Sequence, residues 1–334
     1  MSTKSKVVWS EGMFLRPQHF QQQDRYIESY VEGRCHTLQS YFWGFEELEI
    51  DSQLLKLGKI SVTRCRAVFP DGTPIQVPDV DIAPDVIDVP ANLSNTIVYL
   101  GVPVRRSGAA EVQLDKSDQS LTRYTMSESA VFDTVSGYAD DATIQTGQLR
   151  LRLLFENEDH SGYALLGMLK IKESREDKTV LIDDSFIPPI LDAHINSITG
   201  GFLNELSGLL HQRGEALAGR LKESGRAGSA EIADYLMLQL INRLEPIANH
   251  LKSYRTLHPV DLYFELLQMA GEFATFTSSE KRPPIFSAYN HDKLAATFSP
   301  VIHSLRQGLS SVLEQSAVSL ELVERKYGIR VSPI

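Results

Sequence analysis

Two hydrophobic periods divide the chain. In the first half the apolar positions alternate. Leu149, Leu151, Leu153 and Phe155 alternate with Arg150, Arg152 and Leu154. Leu165, Gly167, Leu169 and Ile171 repeat the pattern after the turn-like Asp159-His160-Ser161-Gly162. This predicts a two-strand antiparallel unit with one buried face. Upstream, Ile60–Phe69 is rich in β-formers and stops at Pro70-Asp71-Gly72-Thr73-Pro74. Pro presets φ and Gly accepts a positive φ, so a turn is expected there, with Ile75-Gln76-Val77 returning as a short strand. Ile97–Val104 is apolar and β-branched enough for a central strand. Many short strands punctuated by Pro, Gly and Asp predict a β-sandwich. One helix is expected before the sheet, with Pro17 in its first turn and few breakers from Gln18 to Leu38. Phe20, Ile27, Tyr30, Val31 and Leu38 form a loose apolar stripe on it, weakened by Gly33.

The second half changes period. Pro188-Pro189 marks the boundary, since neither residue donates a backbone hydrogen bond. Leu191, Ile195, Ile198, Phe202, Leu206 and Leu209 then step by threes and fours. So do Ile232, Leu236, Leu240, Leu244, Ile247 and Leu251, and so do Leu262, Leu266, Leu267, Ala270 and Phe273, where Pro259 suits a helix start. Leu294, Phe298, Val301, Leu305 and Leu309 make the fourth set, with Asn290 as a candidate N-cap. Pro246 and Pro300 predict kinks. The expected fold class is α+β: a β-sandwich followed by an antiparallel helical bundle. The expected divisions are 1–187 for arm, helix and sandwich, 188–316 for the bundle, and 317–334 for the start of a further domain. That last reading rests on Tyr327–Val331, which resembles a strand beginning near the end of the chain.

Composition and charge narrow the function classes. The chain has 334 residues, 42% of them hydrophobic and 23% charged, which supports a packed core and excludes wholesale disorder. The longest apolar run is about eight residues, against the roughly 20 that a membrane-spanning helix needs. The start, MSTKSKVVWSEGMF, lacks the apolar stretch and cleavage site of a secretory signal. Two cysteines, Cys35 and Cys65, make no disulfide framework and read as reduced thiols. Net charge is −10, and residues 1–190 carry 19 basic against 28 acidic side chains. With no block of Lys or Arg, neither nucleic acid nor an anionic membrane surface is a favoured partner. The acidic first half either steers a basic partner or simply keeps the chain soluble, and solubility is the plainer reading.

Enzyme signatures are missing. The sequence has no G-x-G-x-x-G, no phosphate-binding loop ending in Gly-Lys-Ser/Thr, no H-E-x-x-H, no G-x-S-x-G and no Cys-x-x-Cys. His250 and His258 are too far apart in sequence for a metal spacing. Acidic pairs such as Glu46-Glu47, Asp140-Asp141 and Asp183-Asp184 read as solvated sheet edges rather than acid–base machinery. No catalysis, cofactor or metal is expected. The most unusual segment runs from Trp9 to Gln23. Trp9, Met13, Phe14, Leu15 and Arg16 precede Pro17, His19 and Phe20 at a helix start, a composition enriched in protein–protein interfaces. The alternative is an arm packed on its own sheet.

VVWSEGMFLRPQHFQQQDRY closely resembles the N-terminal signature of the TssK family, baseplate subunits of bacterial type VI secretion systems. CRAVFPDGTPIQVP, the Pro188-Pro189 boundary, LHPVDLYFELLQMAGEFATF and ERKYGIRV fit that family in the same order. The resemblance covers nearly the whole chain. It implies a β-sandwich shoulder similar to that of siphophage receptor-binding proteins, a helical neck and a C-terminal head. It also implies a homotrimer, wedge partners of the TssF and TssG families on the shoulder side, and the membrane complex of the TssJ, TssL and TssM families through neck and head. The implied place is cytoplasmic, docked at the inner membrane through partners. With the chain stopping where the head should begin, wedge binding is the expectation that this chain itself carries.

On this basis Trp9, Met13, Phe14, Leu15, Arg16, Pro17, His19 and Phe20 are candidates for shoulder assembly and wedge attachment. Tyr235, Leu238, Ile241, Tyr263 and Phe264 lie off the main helical stripes and are candidates for the trimer contact, unless the sheet covers them. A trimeric phage-type receptor- or carbohydrate-binding protein is the alternative, which a shallow polar groove lined by aromatics would favour. A β-sandwich hydrolase would instead need convergent carboxylates in a pocket.

Overall fold

The computed structural model describes residues 4–114, 120–135, 141–175, 177–223, 229–310, 323–325 and 329–331. The fold is mixed α+β. Helix α1 (Pro17–Leu38) is followed by β1 (Gly44–Ile50), the short α2 (Ser52–Lys56), β2 (Lys59–Ile60), β3 (Val62–Val68), β4 (Pro74–Val77) and β5 (Ile87–Asp88). Next come β6 (Ser94–Pro103), β7 (Val112–Gln113), β8 (Tyr124–Phe132), β9 (Asp141–Leu149), β10 (Arg152–Phe155), β11 (Tyr163–Ser174) and β12 (Val180–Ile182). Helices α3 (Thr199–Glu223), α4 (Ser229–Ser253), α5 (Pro259–Thr277) and α6 (Leu294–Ser310) follow, then β13 (Val323–Arg325) and β14 (Ile329–Val331).

The chain forms two compact units. The first takes residues 1–204, 250–264 and 287–299, and the second takes 205–249, 265–286 and 300–334. Pro188-Pro189 lies inside the first.

In the first unit β6 is the centre of a four-stranded sheet ordered β10-β6-β11-β12. Val98, Leu100 and Val102 of β6 have no exposed surface, so the strand is paired on both edges and covered. The expected direct pairing of the 149–155 and 165–171 segments does not form. Both pair with β6 instead, because its long apolar run is the strand that needs two neighbours. The β3–β4 hairpin matches the expectation. Asp71 Oδ1 accepts from the Thr73 backbone N–H at 3.1 Å and its hydroxyl at 2.6 Å, while Gly72 sits at φ +82°. β8 and β9 pair along their full length as a long hairpin, with β7 parallel to β8.

Residues 191–198 are not the expected first turns of the bundle. Asp192 Oδ1 accepts from His194 N–H at 3.0 Å and Asn196 Oδ1 from Ile198 N–H at 2.9 Å, so these side chains hold turns. A short 3₁₀ helix (Ala193–Ile195) results, and the α-helix begins at Thr199.

A cluster of rings fixes the exit of α1. The segment Tyr41–Trp43 lies against His258, Tyr289 and His291. His291 Nε2–H donates to Trp43 O at 2.7 Å and its Nδ1 accepts from the Tyr289 hydroxyl at 2.7 Å. His258 stacks on His291, with centroids 5.4 Å apart and planes 13° apart. Its Nε2–H donates to Tyr41 O at 2.9 Å and its Nδ1 accepts from Val260 N–H at 3.2 Å. These partners fix both rings as neutral Nε2–H tautomers. Burial pushes His291 down to about 4 and lowers His258.

In the second unit three contacts run in opposite senses along α3 and α4: Ser207–Asn249, His211–Glu245 and Arg220–Asp234. These two helices are therefore antiparallel. Leu206, Leu210, Leu217, Ile241, Leu244, Leu266, Phe273, Val301, Leu305 and Leu309 are buried. Arg306 forks onto Glu205 with bonds of 2.6–3.1 Å. Pro246 and Pro300 lie inside helices that continue through them. Near the end of the described residues, β13 pairs antiparallel with β14, so the strand read at the end of the sequence has a partner. Most of 317–334 lies outside the described residues.

Candidate partner-binding surface

The arm before α1 is a folded element. Gly12, at φ +74°, lets residues 10–13 turn, and Met13 N–H donates to Ser10 O at 3.2 Å. Arg16 is extended and serves as the N-cap, with its N–H donating to His19 Nδ1 at 3.1 Å and its carbonyl accepting from His19 N–H at 3.0 Å. Pro17 occupies the first helical position, where no N–H is needed. The Trp9 ring lies 6.2 Å from both His19 and Phe20, and Gln22 Nε2 donates to Ser5 O at 2.7 Å. The arm thus doubles back along the first turns of α1. Phe14 stands out at its bend, 83% exposed, and Leu15, Arg16 and Trp9 are also exposed. Met13 and His19 are half-buried.

Helix α1 has its polarity reversed. No residue of it is buried. At 100° per residue, Phe20, Ile27, Val31 and Leu38 fall within an arc of about 40°. These four side chains are 48–78% exposed. The partly covered side chains are His19, Gln22, Gln23, Arg25, Tyr26, Ser29 and Glu32, which are mostly polar. Glu28 takes a fork from Arg105, whose Nη2 donates to Oε1 at 3.0 Å. Arg105 also bonds Tyr124 at 3.2 Å and pairs with Glu111 at 3.4 Å. The Glu28 carboxylate, followed by Tyr124, holds the Arg105 guanidinium firmly protonated. Lys4 pairs with Glu32 at 3.7 Å.

Behind the helix lies a cleft of about 1030 Å³ lined by Arg25, Glu28, Glu32, Asp71, Arg105 and Arg123. Buried Arg123 bonds Asp71 at 3.0 Å, Pro103 O at 2.6 Å and the Thr73 hydroxyl. A surface helix normally turns apolar residues inward and polar ones outward. Here ion pairs seat the helix, and its apolar stripe stays mostly exposed among the described residues, with the Trp9 ring beside Phe20 at one end.

The helical candidates separate on burial. Ile241 and Tyr263 are buried within the chain, and the Tyr263 hydroxyl donates to Ser287 O at 2.6 Å. They have no surface to offer a neighbour in this conformation. Tyr235 and Phe264 are more than half-exposed, and Leu238 is half-buried. The outward sense of the α1 stripe was not readable from spacing, which gives a face but not its direction. The exposed distal residues Val131, Phe132 and Ile144 of β8 and β9 carried no sequence signal either. Among the described residues no group of three His, Cys, Asp or Glu side chains could hold a metal ion, and no helix is long and apolar enough to cross a membrane.

Comparison with known proteins decides between a phage-type receptor binder and a secretion baseplate subunit. The family model for bacterial type VI secretion proteins that include VasE, ImpJ and EvfL matches residues 19–334. The chain is 45% identical over 332 residues to the type VI secretion system baseplate component TssK1 of Pseudomonas aeruginosa. This chain belongs to the TssK (VasE) family of type VI secretion baseplate components. The match to TssK1 covers 99% of the chain and 75% of the relative. A crystal structure of TssK superposes with TM-score 0.88 at 39% identity, over 98% of this chain and 74% of that one. The TssK-TssF-TssG baseplate subcomplex contains a chain of the same fold, with TM-score 0.76 at 24% identity, over 92% of this chain and 99% of that one. Family membership makes the chain a structural component and gives the uncovered arm and α1 an assembly context.

Proposed function

We propose that this chain is a trimeric adaptor in the baseplate. Its Trp9–Phe20 arm attaches to wedge subunits of the TssF and TssG families. The helical half leads to the membrane complex of the TssJ, TssL and TssM families, which holds the adaptor at the cytoplasmic face of the inner membrane. The observation that carries this reading is the arm itself: a turn, a cap and a proline hold Phe14 and Leu15 with more than half of their surface exposed. Arg16 supplies a planar fork of donors beside them, suited to carboxylates or backbone carbonyls. Tyr235, Leu238 and Phe264 keep the surface that a three-fold contact through the helices would use.

The test is Phe14→Ala and Arg16→Ala, with binding to a TssF–TssG complex and melting temperature measured together. Truncating a buried interface anchor costs about 2–4 kcal/mol, roughly a 30- to 1000-fold loss of affinity. Because Phe14 is exposed in the free chain, melting and oligomer mass should not move. Unchanged binding in both variants overturns the proposal. A large fall in melting temperature returns the segment to a packing role.

A further inference from the structure

A ladder of rings holds the linker between α1 and β1. Tyr41 has φ +61°, a left-handed conformation that an aromatic residue adopts only where its surroundings impose it. Its ring stacks on His291 with centroids 5.4 Å apart and tilts against Tyr289 at 5.0 Å. Two residues on, Trp43 meets His291 edge-on at 5.3 Å, and its Nε1–H donates to Asp292 Oδ1 at 3.3 Å. Between them Phe42 lies 5.8 Å from the Trp43 ring and 5.3 Å from His36 in the last turn of α1. The two imidazoles close the ladder. His258 donates its Nε2–H to the Tyr41 carbonyl, His291 donates its own to the Trp43 carbonyl, and the two rings lie face to face. Because α1 buries no residue, its direction depends on this linker and on ion pairs such as that of Glu28 with Arg105.

We propose that the stacked pair of His258 and His291 is a proton-sensitive latch on this linker: while both rings are neutral they fix the direction in which α1 joins β1, and proton uptake frees residues 39–43 while the sheets stay folded. Control of the arm's presentation to the wedge rests on the reading of the arm given above; the latch itself does not. The geometry tolerates added protons poorly. On His258 a second N–H would face the Val260 N–H, donor against donor, across 3.2 Å. On His291 it would force the Tyr289 hydroxyl to turn round. Two cations would then lie face to face at 5.4 Å. The charged and titratable groups around the pair are Tyr41 from the linker, Asp261 from α5, and Tyr289 and Asp292 from the turn before α6. Burial outweighs the two carboxylates, so both imidazoles titrate below 6.5 in the closed latch. The open linker therefore takes up protons that the closed latch refuses, and falling pH favours opening. With His291 at about 4 closed and 6.5 open, the opening equilibrium rises roughly 20-fold from pH 7 to pH 5, and His258 adds to it in the same direction. Relief of the left-handed Tyr41 favours release as well.

Hydrogen exchange of the full chain tests the latch with no partner present, so its result stands apart from that of the wedge assay. The Val260 amide, whose acceptor is His258 Nδ1, reports opening. Corrected for the intrinsic exchange rate, its protection should fall about 20-fold or more from pH 7 to pH 5, and should stay below that of β6 at both values. His291→Gln keeps a donor for the Trp43 carbonyl but takes up no proton, and it should shrink the pH-dependent fall by about 20-fold. Spin labels on exposed Cys35 and on Thr63→Cys, an exposed position of β3, read the direction of α1. They should give one narrow distance at pH 7, and a broad spread once His258→Ala/His291→Ala is added. Val260 protection that ignores pH, or that equals the protection of β6, would overturn the proposal. So would an unchanged pH response in His291→Gln, or a distance that stays narrow in the double alanine variant.

Discussion

Acidification should weaken the first unit through His291, and the structure sets the size of the effect. His291 is 1% exposed, donates to Trp43 O and accepts from the Tyr289 hydroxyl. The titratable groups facing it are Tyr41, Tyr289, His258 and Asp292, with Asp261 near His258. Burial, the largest influence, holds its pKa at about 4, below the unfolded value of 6.5. The unfolded chain therefore takes up a proton that the folded chain refuses between these two values. Stability is intact above pH 6.5 and is lost as pH falls toward 4. One pKa unit is 1.36 kcal/mol, so the loss is about 2 kcal/mol at pH 5 and levels off near 3 kcal/mol below pH 4.

His258, also lowered, acts in the same direction. Its Nδ1 faces the Val260 N–H, a donor that cannot reverse, so protonation there breaks the bond outright. The assay is denaturant unfolding at pH 7, 6 and 5, followed by tryptophan fluorescence. Trp43 lies 5.3 Å from the His291 ring, and the chain's other tryptophan, Trp9, is in the arm. His291→Gln should start less stable at pH 7 and show a slope shallower by up to about 1.4 kcal/mol per pH unit. Parallel slopes for the two proteins would refute the reasoning, since His291 would then take up no proton on unfolding.

Gly44→Ala should cost about 2 kcal/mol or more in unfolding free energy, because φ there is +136° and a Cβ would sit 2.9 Å from the Pro189 carbonyl. Arg123→Leu should cost about 3 kcal/mol, since it strands Asp71 and Pro103 O around a buried position; thermal unfolding checks both variants. Exposed Cys35 should react with a maleimide within minutes at neutral pH, whereas Cys65, buried with its thiol pushed up to about 12, should react only on unfolding; mass spectrometry of quenched samples reads both sites.

The α+β class and the central strand were legible because a period of two and a period of 3.6 are properties of short windows. Strand partners were not. The 149–155 and 165–171 segments look like a hairpin in sequence, and only the long apolar run of β6 elsewhere in the chain explains why it lies between them. The 191–198 segment keeps helical spacing, yet Asp192 and Asn196 offer the backbone nearer partners than a helix would. Ile241 and Tyr263 looked peripheral because a single stripe was assumed, whereas burial on more than one side widens the covered arc. The ring cluster joins residues 41–43, 258 and 289–291, and no local pattern brings those together. The arm was visible as composition. Its outward presentation rests on the turn at Gly12 and the cap at Arg16, and that of the α1 stripe on ion pairs from Arg105 and Lys4, which only the fold supplies.

The central claim is that the exposed arm attaches this chain to the wedge. The most direct measurement is the mass of the complex formed when the purified chain is mixed with a TssF–TssG complex, read for the unaltered chain and for Phe14→Ala/Leu15→Ala. We expect the unaltered chain to shift into a complex that also contains both wedge subunits, and the double variant to keep its own oligomer mass and melting temperature while failing to shift. Equal complex formation by the two proteins would contradict the claim.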